Sequence, residues 1–295
     1  MKDEHGTSFD CFGGTCGAYV IGEHAQDAVA HAQRRLLVWH HQFTRFDPAS
    51  ELSRLNADPR ATVPVSFLLA RLAQTAVGAA ELTDGLVDAT LAAELERAGY
   101  AADLGDPLPL ADALALAPPR SRAAGRPGAP WRALAVDGFL VQRPPGLKLD
   151  GGGLAKGLFA DMLAGELTRY DGFAIDCAGD LRIGGPPRRV NVASPFDGST
   201  LHTFRLANAA VATSGIGRRS WLDDAGRPAH HLLDPATGRP AFTGVVQATA
   251  IAPTAVEAEI RAKAALLSGP GAGRKWLRHG GVLVFDDGGY RPILH

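Results

Sequence analysis

The chain has few cysteines and almost no net charge, and each shortage excludes a class of protein. Its three cysteines (Cys11, Cys16 and Cys177) form neither a disulfide framework nor a metal-binding motif, which favours a reduced cytoplasm. A net charge of −1 argues against a nucleic-acid partner held by bulk electrostatics. No apolar run approaches the ~20 residues that cross a bilayer, and the N-terminus has no apolar signal segment. We therefore expect a cytoplasmic protein without nucleic acid and without membrane insertion.

What the chain does contain is ample material for a core, since 46% of its 295 residues are hydrophobic and 21% are charged. Length alone allows one large domain or two ordinary ones. Helical periodicity dominates the first half and strand patterns dominate after residue 130, which predicts an α+β fold with a mixed or antiparallel sheet. Residues 103–128 are rich in Ala, Pro, Asp and Arg, and we interpret them as a surface excursion.

Local patterns place the main elements. Amphipathic spacing predicts helices over 26–46, 66–82 and 255–267. Ser50 is predicted to cap a short helix after the first of these. Strands are predicted at 15–21, 172–185 (two strands and a turn), 190–195, 204–215, 245–251 and 281–285.

The stretch from Gly146 to Leu167 (GLKLDGGGLAKGLFADMLAGEL) has the composition of a strand, a glycine-rich turn and a helix. Leu147–Leu149 alternates like a short strand, three glycines follow Asp150, and helical spacing begins at Leu154. Such a turn presents free N–H groups at a helix start, where a phosphate can bind. Lys156 would add a positive charge there. A tight strand-to-helix connection without any ligand has the same pattern.

Six short motifs occur in one order along the chain. They are SELSRLN (50–56), DGLVDAT (84–90), DGGGLAKGLFAD (150–161), CAGDLRIGG (177–185), ATSG with RR (212–219) and HLLDPATGRP (231–240). This collinear set resembles the ApbE family of FAD:protein FMN transferases, from about residue 14 to residue 285. The resemblance implies one α+β domain over residues 1–295, with mixed or antiparallel sheets flanked by helices.

The resemblance also implies an activity. Relatives cleave the pyrophosphate of FAD, transfer FMN to a Thr or Ser hydroxyl of a partner flavoprotein and release AMP. Phosphoryl transfer of this kind needs positioning and charge neutralisation more than a covalent nucleophile on the enzyme. Two alternatives stay open: an FAD-binding protein without transferase activity, and an FAD pyrophosphatase that gives FMN and AMP.

Site residues follow by matching motifs. The resemblance places Phe46, Val87, Asp88, Ala89, Asp150, Lys156, Thr213, Ser214, Gly215, His231 and Leu232 at FAD-binding positions, with His231 and Lys156 in catalysis. Phe46 is suited to stacking on a flat ring, but it could equally be a core aromatic at a helix end. His231 is suited to proton transfer, although it could simply begin a turn. Thr213 and Ser214 could also be ordinary hydroxyls at a strand end.

The magnesium site is where this sequence departs from the family. Relatives bind Mg²⁺ through a carbonyl of the glycine turn, here assigned to Gly153, and through an Asp and a Thr at i and i+4 of the last helix. Glu259 and Lys263 occupy those two positions. Glu can bind Mg²⁺, but a protonated ammonium has no lone pair and repels a dication. We hypothesise that Lys263 takes the place of Mg²⁺, held by Glu259 and directed at the FAD phosphates; an ordinary surface helix pair is the alternative.

Overall fold

The computed structural model describes residues 3–102 and 105–294, so residues 103 and 104 of the predicted excursion lie outside the described residues. The helices in those ranges are α1 (Ala25–Phe43), α2 (Glu51–Ala57), α3 (Phe67–Thr83), α4 (Ala92–Arg97), α5 (Leu110–Ala115), α6 (Ala155–Leu167) and α7 (Ala255–Ala272). The strands are β1 (Glu4–Cys11), β2 (Gly14–Ile21), β3 (Thr62–Pro64), β4 (Ala135–Asp137), β5 (Leu140–Gln142), β6 (Gly172–Cys177), β7 (Asp180–Gly184), β8 (Arg188–Ala193), β9 (Thr200–Leu206), β10 (Ala210–Gly215), β11 (Ser220–Leu222), β12 (Pro228–His230), β13 (Leu233–Asp234), β14 (Arg239–Pro240), β15 (Val245–Ala252), β16 (Gly281–Phe285) and β17 (Tyr290–Ile293).

Eight of these strands form the central sheet, in the order β1-β2-β6-β7-β10-β15-β16-β17. Every neighbouring pair in that order is antiparallel. Smaller two- and three-stranded sheets surround it, among them the β8–β9 hairpin. The predicted α+β class with an antiparallel sheet is confirmed.

Three helices cover the central sheet side by side. Helix α1 lies on β1 and β2, α6 on β6 and β7, and α7 on β10 and β15. Helix α6 approaches α7 closely at Gly157, where a Cβ atom would lie 2.8 Å from backbone atoms of Ala255. The carboxylate of Asp161 accepts hydrogen bonds from the first N–H groups of α7, at Ala255 (2.8 Å) and Val256 (3.0 Å). This side-chain cap fixes the start of α7 to α6.

Helix boundaries follow the local signals closely. Ser50 caps α2 through its side chain, as predicted, and Ser66, which was predicted as the first residue of the next helix, caps α3 in the same way. Helix α1 ends at Phe43 and not at Phe46, because Thr44 has extended backbone angles (φ −66°, ψ 130°). The prediction of a strand at Leu147–Leu149 is wrong. The N–H and C=O groups of Leu149 are both bound by the side-chain amide of Asn56 (2.7 and 2.8 Å), so they pair with no strand.

The segment interpreted as a surface excursion is partly built into the fold. Helix α5 buries Leu110 and Ala113. Farther on, Ser121 N–H donates to the Phe242 carbonyl (2.8 Å), and Ala123 N–H donates to the Leu267 carbonyl (3.1 Å). Its described part therefore contributes to the packing beneath α7.

Within residues 3–102 and 105–294, no helix combines the length and apolar character needed to cross a bilayer.

Candidate active site

The glycine turn lies directly before α6. Asp150 begins it, and its carboxylate accepts a hydrogen bond from Gly152 N–H at 2.5 Å. Helix α6 has no side-chain cap at Leu154. In the described part of the chain, the N–H groups of Gly153 and Lys156 have no hydrogen-bond acceptor. These two donors at an uncapped helix start can bind an anion.

Lys156 is the first charged residue of α6, and it already has an anionic partner. Its ammonium lies 2.6 Å from the carboxylate of Asp180, which is 1% exposed at the start of β7. Burial alone would lower the pKa of Lys156, but the Asp180 and Glu259 carboxylates outweigh it and raise that pKa above its ordinary value. Lys156 is therefore a fixed cation whose charge Asp180 largely matches.

Glu259 and Lys263, four residues apart on α7, face the same turn. Glu259 accepts a hydrogen bond from Gly157 N–H at 3.0 Å, and the Lys263 ammonium lies 3.4 Å from the Gly153 carbonyl oxygen. Burial, reinforced by Asp180, raises the pKa of Glu259 to about 7. Burial also lowers the pKa of Lys263, against the opposing effect of Glu259. No carboxylate of the described residues lies within 4.0 Å of the Lys263 ammonium, so the expected direct Glu259–Lys263 ion pair is absent there.

Arg45 is a site residue that sequence reasoning missed. Its guanidinium lies 3.3 Å from the Asp150 carboxylate and contacts the rings of Phe46 (4.4 Å) and Tyr100 (4.3 Å). Phe46 is 40% exposed and contacts Tyr100 edge-on at 5.5 Å. The predicted ring-stacking residue thus lies beside the glycine turn, although Arg45 covers one of its faces. An arginine next to an aromatic residue at a helix end was the available signal.

The segment of Val87, Asp88 and Ala89 lies against the turn through its backbone. Asp150 N–H donates to the Ala89 carbonyl at 2.8 Å. One carboxylate oxygen of Asp88 accepts from the hydroxyl of Thr90 (2.7 Å), and the other is buried with no hydrogen-bond partner among the described residues. Burial raises the pKa of Asp88. The Val87 side chain is 2% exposed in the core, so any ligand contact at Val87 would use its backbone.

His231 lies at the side of the site near α7. Burial lowers its pKa well below the ordinary value, and the charges of Arg219 and Lys263 act in the same direction. Its Nδ1 atom is buried without a hydrogen-bond partner among the described residues. The imidazole is therefore neutral near pH 7, with one unprotonated ring nitrogen that is a weaker base than in a free imidazole. The following residue, Leu232, is 3% exposed and packs in the core.

Thr213, Ser214 and Gly215 form the end of β10 and pair with β15. The Thr213 hydroxyl lies 2.9 Å from the Thr249 hydroxyl, and Thr213 N–H donates to the Asp180 carboxylate at 3.4 Å. The strand end therefore contacts the Lys156–Asp180 pair, which leaves its predicted role in FAD binding open.

The donor set does not fit a magnesium ion. Mg²⁺ requires oxygen ligands in near-octahedral geometry. Here the Gly153 carbonyl, the expected backbone ligand, faces an ammonium at 3.4 Å, and Glu259 is bound to an N–H group. Among the described residues, no three His, Cys, Asp or Glu side chains are grouped so that they could hold a metal.

Comparison with known proteins agrees with this architecture. The sequence profile of the ApbE family matches residues 12–285, so the chain belongs to the ApbE family. The crystal structure of the ApbE protein of Thermotoga maritima superposes with a TM-score of 0.82 at 25% identity, covering 98% of this chain and 97% of that one.

Two relatives carry the name FAD:protein FMN transferase. The Rhodobacter capsulatus protein is 28% identical over 255 residues, which are 83% of this chain and 47% of the relative. The Escherichia coli K12 protein is 29% identical over 157 residues, which are 50% of this chain and 44% of the relative. The matches thus span less than half the length of either relative.

Proposed function

We propose that this protein binds FAD and transfers FMN to a Thr or Ser hydroxyl of a partner flavoprotein, with release of AMP. The observation that carries the proposal is the convergence, at one uncapped helix start, of two free N–H groups, two partly buried lysines and a neutral histidine. Membership of a family whose relatives are named FAD:protein FMN transferase supports it. The three buried free cysteines support a cytoplasmic location.

In this mechanism the pyrophosphate lies at the glycine turn, where the Gly153 and Lys156 N–H groups donate to its oxygens. The acceptor hydroxyl oxygen forms a bond to the FMN phosphorus, and the bond from that phosphorus to the bridging oxygen breaks, so AMP leaves. The hydroxyl proton passes to the unpartnered Nδ1 of His231. Phe46 would contact the isoalloxazine ring through its exposed face.

One observation favours a second candidate, an FAD-binding protein that does not transfer FMN. Lys263 occupies the position where the family resemblance implies a metal ligand, and an ammonium does not supply the Lewis-acid polarisation that a metal gives a phosphoryl oxygen. An FAD pyrophosphatase is the remaining outcome, in which water replaces the acceptor hydroxyl.

The test is to incubate the purified protein with FAD, with and without a flavoprotein carrying a candidate acceptor Thr. Transfer predicts AMP release that requires the acceptor, together with covalent flavin fluorescence on it in a denaturing gel. Equal AMP release without acceptor would indicate a pyrophosphatase, and retained FAD without AMP would indicate a binder.

His231→Gln should lower the rate of AMP release by ~10²–10⁴-fold while FAD still binds, because the proton acceptor is lost. His41→Gln, on the exposed side of α1, is the matched control and should leave the rate unchanged. Unchanged turnover in His231→Gln would mean that His231 has a structural role and not a catalytic one.

A further inference from the structure

The carbonyl of Gly153 points at a lysine of another helix. Its oxygen lies 3.4 Å from Nζ of Lys263, which α7 brings to the turn from 110 residues away. A Cβ atom at position 153 would lie 1.5 Å from that same Nζ. Gly153 therefore leaves the space that the ammonium occupies, and any side chain there would displace the lysine.

The position of Lys263 is fixed by the packing of α6 against α7. Asp161 of α6 caps the first turn of α7, and Glu259 of α7 accepts from Gly157 N–H of α6. These contacts join the two helices at two positions of α6 that follow the turn. The ammonium is thus held at the turn by two rigid elements and not by a mobile surface chain.

Among the described residues, Lys263 is a cation at the turn that has no close carboxylate. Lys156 is bound to Asp180 at 2.6 Å. Lys263 has a backbone carbonyl at 3.4 Å, and the described residues place no carboxylate within 4.0 Å of its ammonium. An anion that enters the turn would therefore find Lys156 already paired and Lys263 still available.

We infer that Lys263 is the built-in cation of the pyrophosphate site, so that this protein binds a dinucleotide pyrophosphate without a metal ion. The inference rests on the proposal that the site binds FAD. An ammonium neutralises one phosphate charge where Mg²⁺ neutralises two, and it donates hydrogen bonds without requiring an octahedral shell. Glu259 then positions α6 and does not ligate a metal.

The first experiment uses Mg²⁺ alone, by titration calorimetry, and needs no FAD. The unmutated protein should show no stoichiometric Mg²⁺ binding. Lys263→Thr, which restores an oxygen donor beside Glu259 and Gly153, should gain one site, and Glu259→Gln in that background should remove it. One Mg²⁺ site in the unmutated protein that Glu259→Gln abolishes would overturn the inference.

The second experiment measures FAD affinity by flavin fluorescence, in EDTA and in Mg²⁺. The unmutated protein should bind FAD equally well in both. Lys263→Met, which keeps the length of the side chain and removes its charge, should weaken FAD binding about 10- to 100-fold in both buffers. Riboflavin, which lacks phosphates, should bind Lys263→Met and the unmutated protein alike.

Lys275→Met is the matched control, since it removes an exposed ammonium just beyond α7 and should leave FAD affinity unchanged. Unchanged FAD affinity in Lys263→Met, or binding by the unmutated protein that EDTA abolishes, would overturn the inference. If the unmutated protein binds no FAD in either buffer, the proposed function fails. The titration with Mg²⁺ alone still shows whether the cation of the site is Lys263 or a metal ion.

Discussion

Helix α6 has at each end a charge that interacts unfavourably with the helix dipole. These charges are a lysine near its N-terminus and a glutamate near its C-terminus. At the first end, Lys156 is paired with Asp180, which is 1% exposed. At the other end, about 20 Å away, Glu166 is bound to His31 (2.9 Å) and Arg35 (3.4 Å) with all three side chains well exposed. At each end, side chains of neighbouring elements therefore neutralise the charge that interacts unfavourably with the dipole of α6.

The two ends of α6 differ in how deeply their charged side chains are buried. Water and salt screen the exposed pairs at Glu166, so their net contribution is small. At the buried end the charges interact strongly, and removing one partner leaves another without compensation. The charges at the N-terminal end of α6 can therefore interact with an incoming anion. The ion pairs at its C-terminal end connect α6 to α1.

The largest expected difference between the two ends is in stability. Lys156→Met should lower the free energy of unfolding by ~3–5 kcal/mol, because the Asp180 carboxylate stays buried without its partner. Glu166→Gln should change the same quantity by only ~0.2–1 kcal/mol. Urea denaturation measures both. Adding Asp180→Asn to Lys156→Met should recover most of the loss; equal small losses at both ends would contradict the role of burial.

The second difference is in how the free energy of unfolding depends on pH. Because the pKa of Glu259 is raised to about 7 when folded, the folded state binds its proton more tightly than the unfolded state does. Its contribution to stability is therefore complete below pH 4.5 and is lost as the pH rises through 7, with an upper bound of about 3 kcal/mol. Glu259→Gln should remove this decline in urea titrations between pH 4.5 and 8. A decline that persists in Glu259→Gln would assign it to another group.

The smallest difference concerns two glycines of α6. Gly157→Ala should destabilise the protein by ~1–3 kcal/mol, since its Cβ would lie 2.8 Å from the backbone of Ala255, which cannot move aside. Gly165→Ala has nothing within 4 Å of its Cβ and should stabilise the helix by ~0.5–1 kcal/mol. Thermal unfolding of the two variants provides a matched pair. A stabilising Gly157→Ala would mean that α6 and α7 are packed less closely than described.

Elements whose determinants are local could be predicted from the sequence. Ser50 and Ser66 cap helices because each hydroxyl binds an N–H group three residues ahead. The four-residue spacing of Leu154, Leu158 and Met162 predicts one inward face at the start of α6, where Leu154 and Leu158 are buried and Met162 is partly buried. In such cases the residues that decide the structure are close neighbours in the chain.

Features that depend on distant partners could not be predicted. Alternation at Leu147–Leu149 predicted a strand, but the Asn56 side chain competes for the backbone of Leu149. Strand β1, which includes Gly6 and five polar or charged side chains, gave no strand signal and is defined by pairing with β2. The partner of Lys156 likewise comes from another motif, at Asp180. Motif matching selected the candidate residues without revealing which of them touch.

The order of strands in the central sheet has a consequence during synthesis. Strand β2 needs β6 as its second neighbour, and β6 begins only at Gly172. At ~5–20 residues per second, the ribosome takes roughly 8–30 s to add the intervening chain. For that time the β1–β2 hairpin has an open edge and marginal stability on its own. The nascent chain should therefore bind chaperones in this interval, and faster translation between residues 21 and 172 should improve its soluble yield.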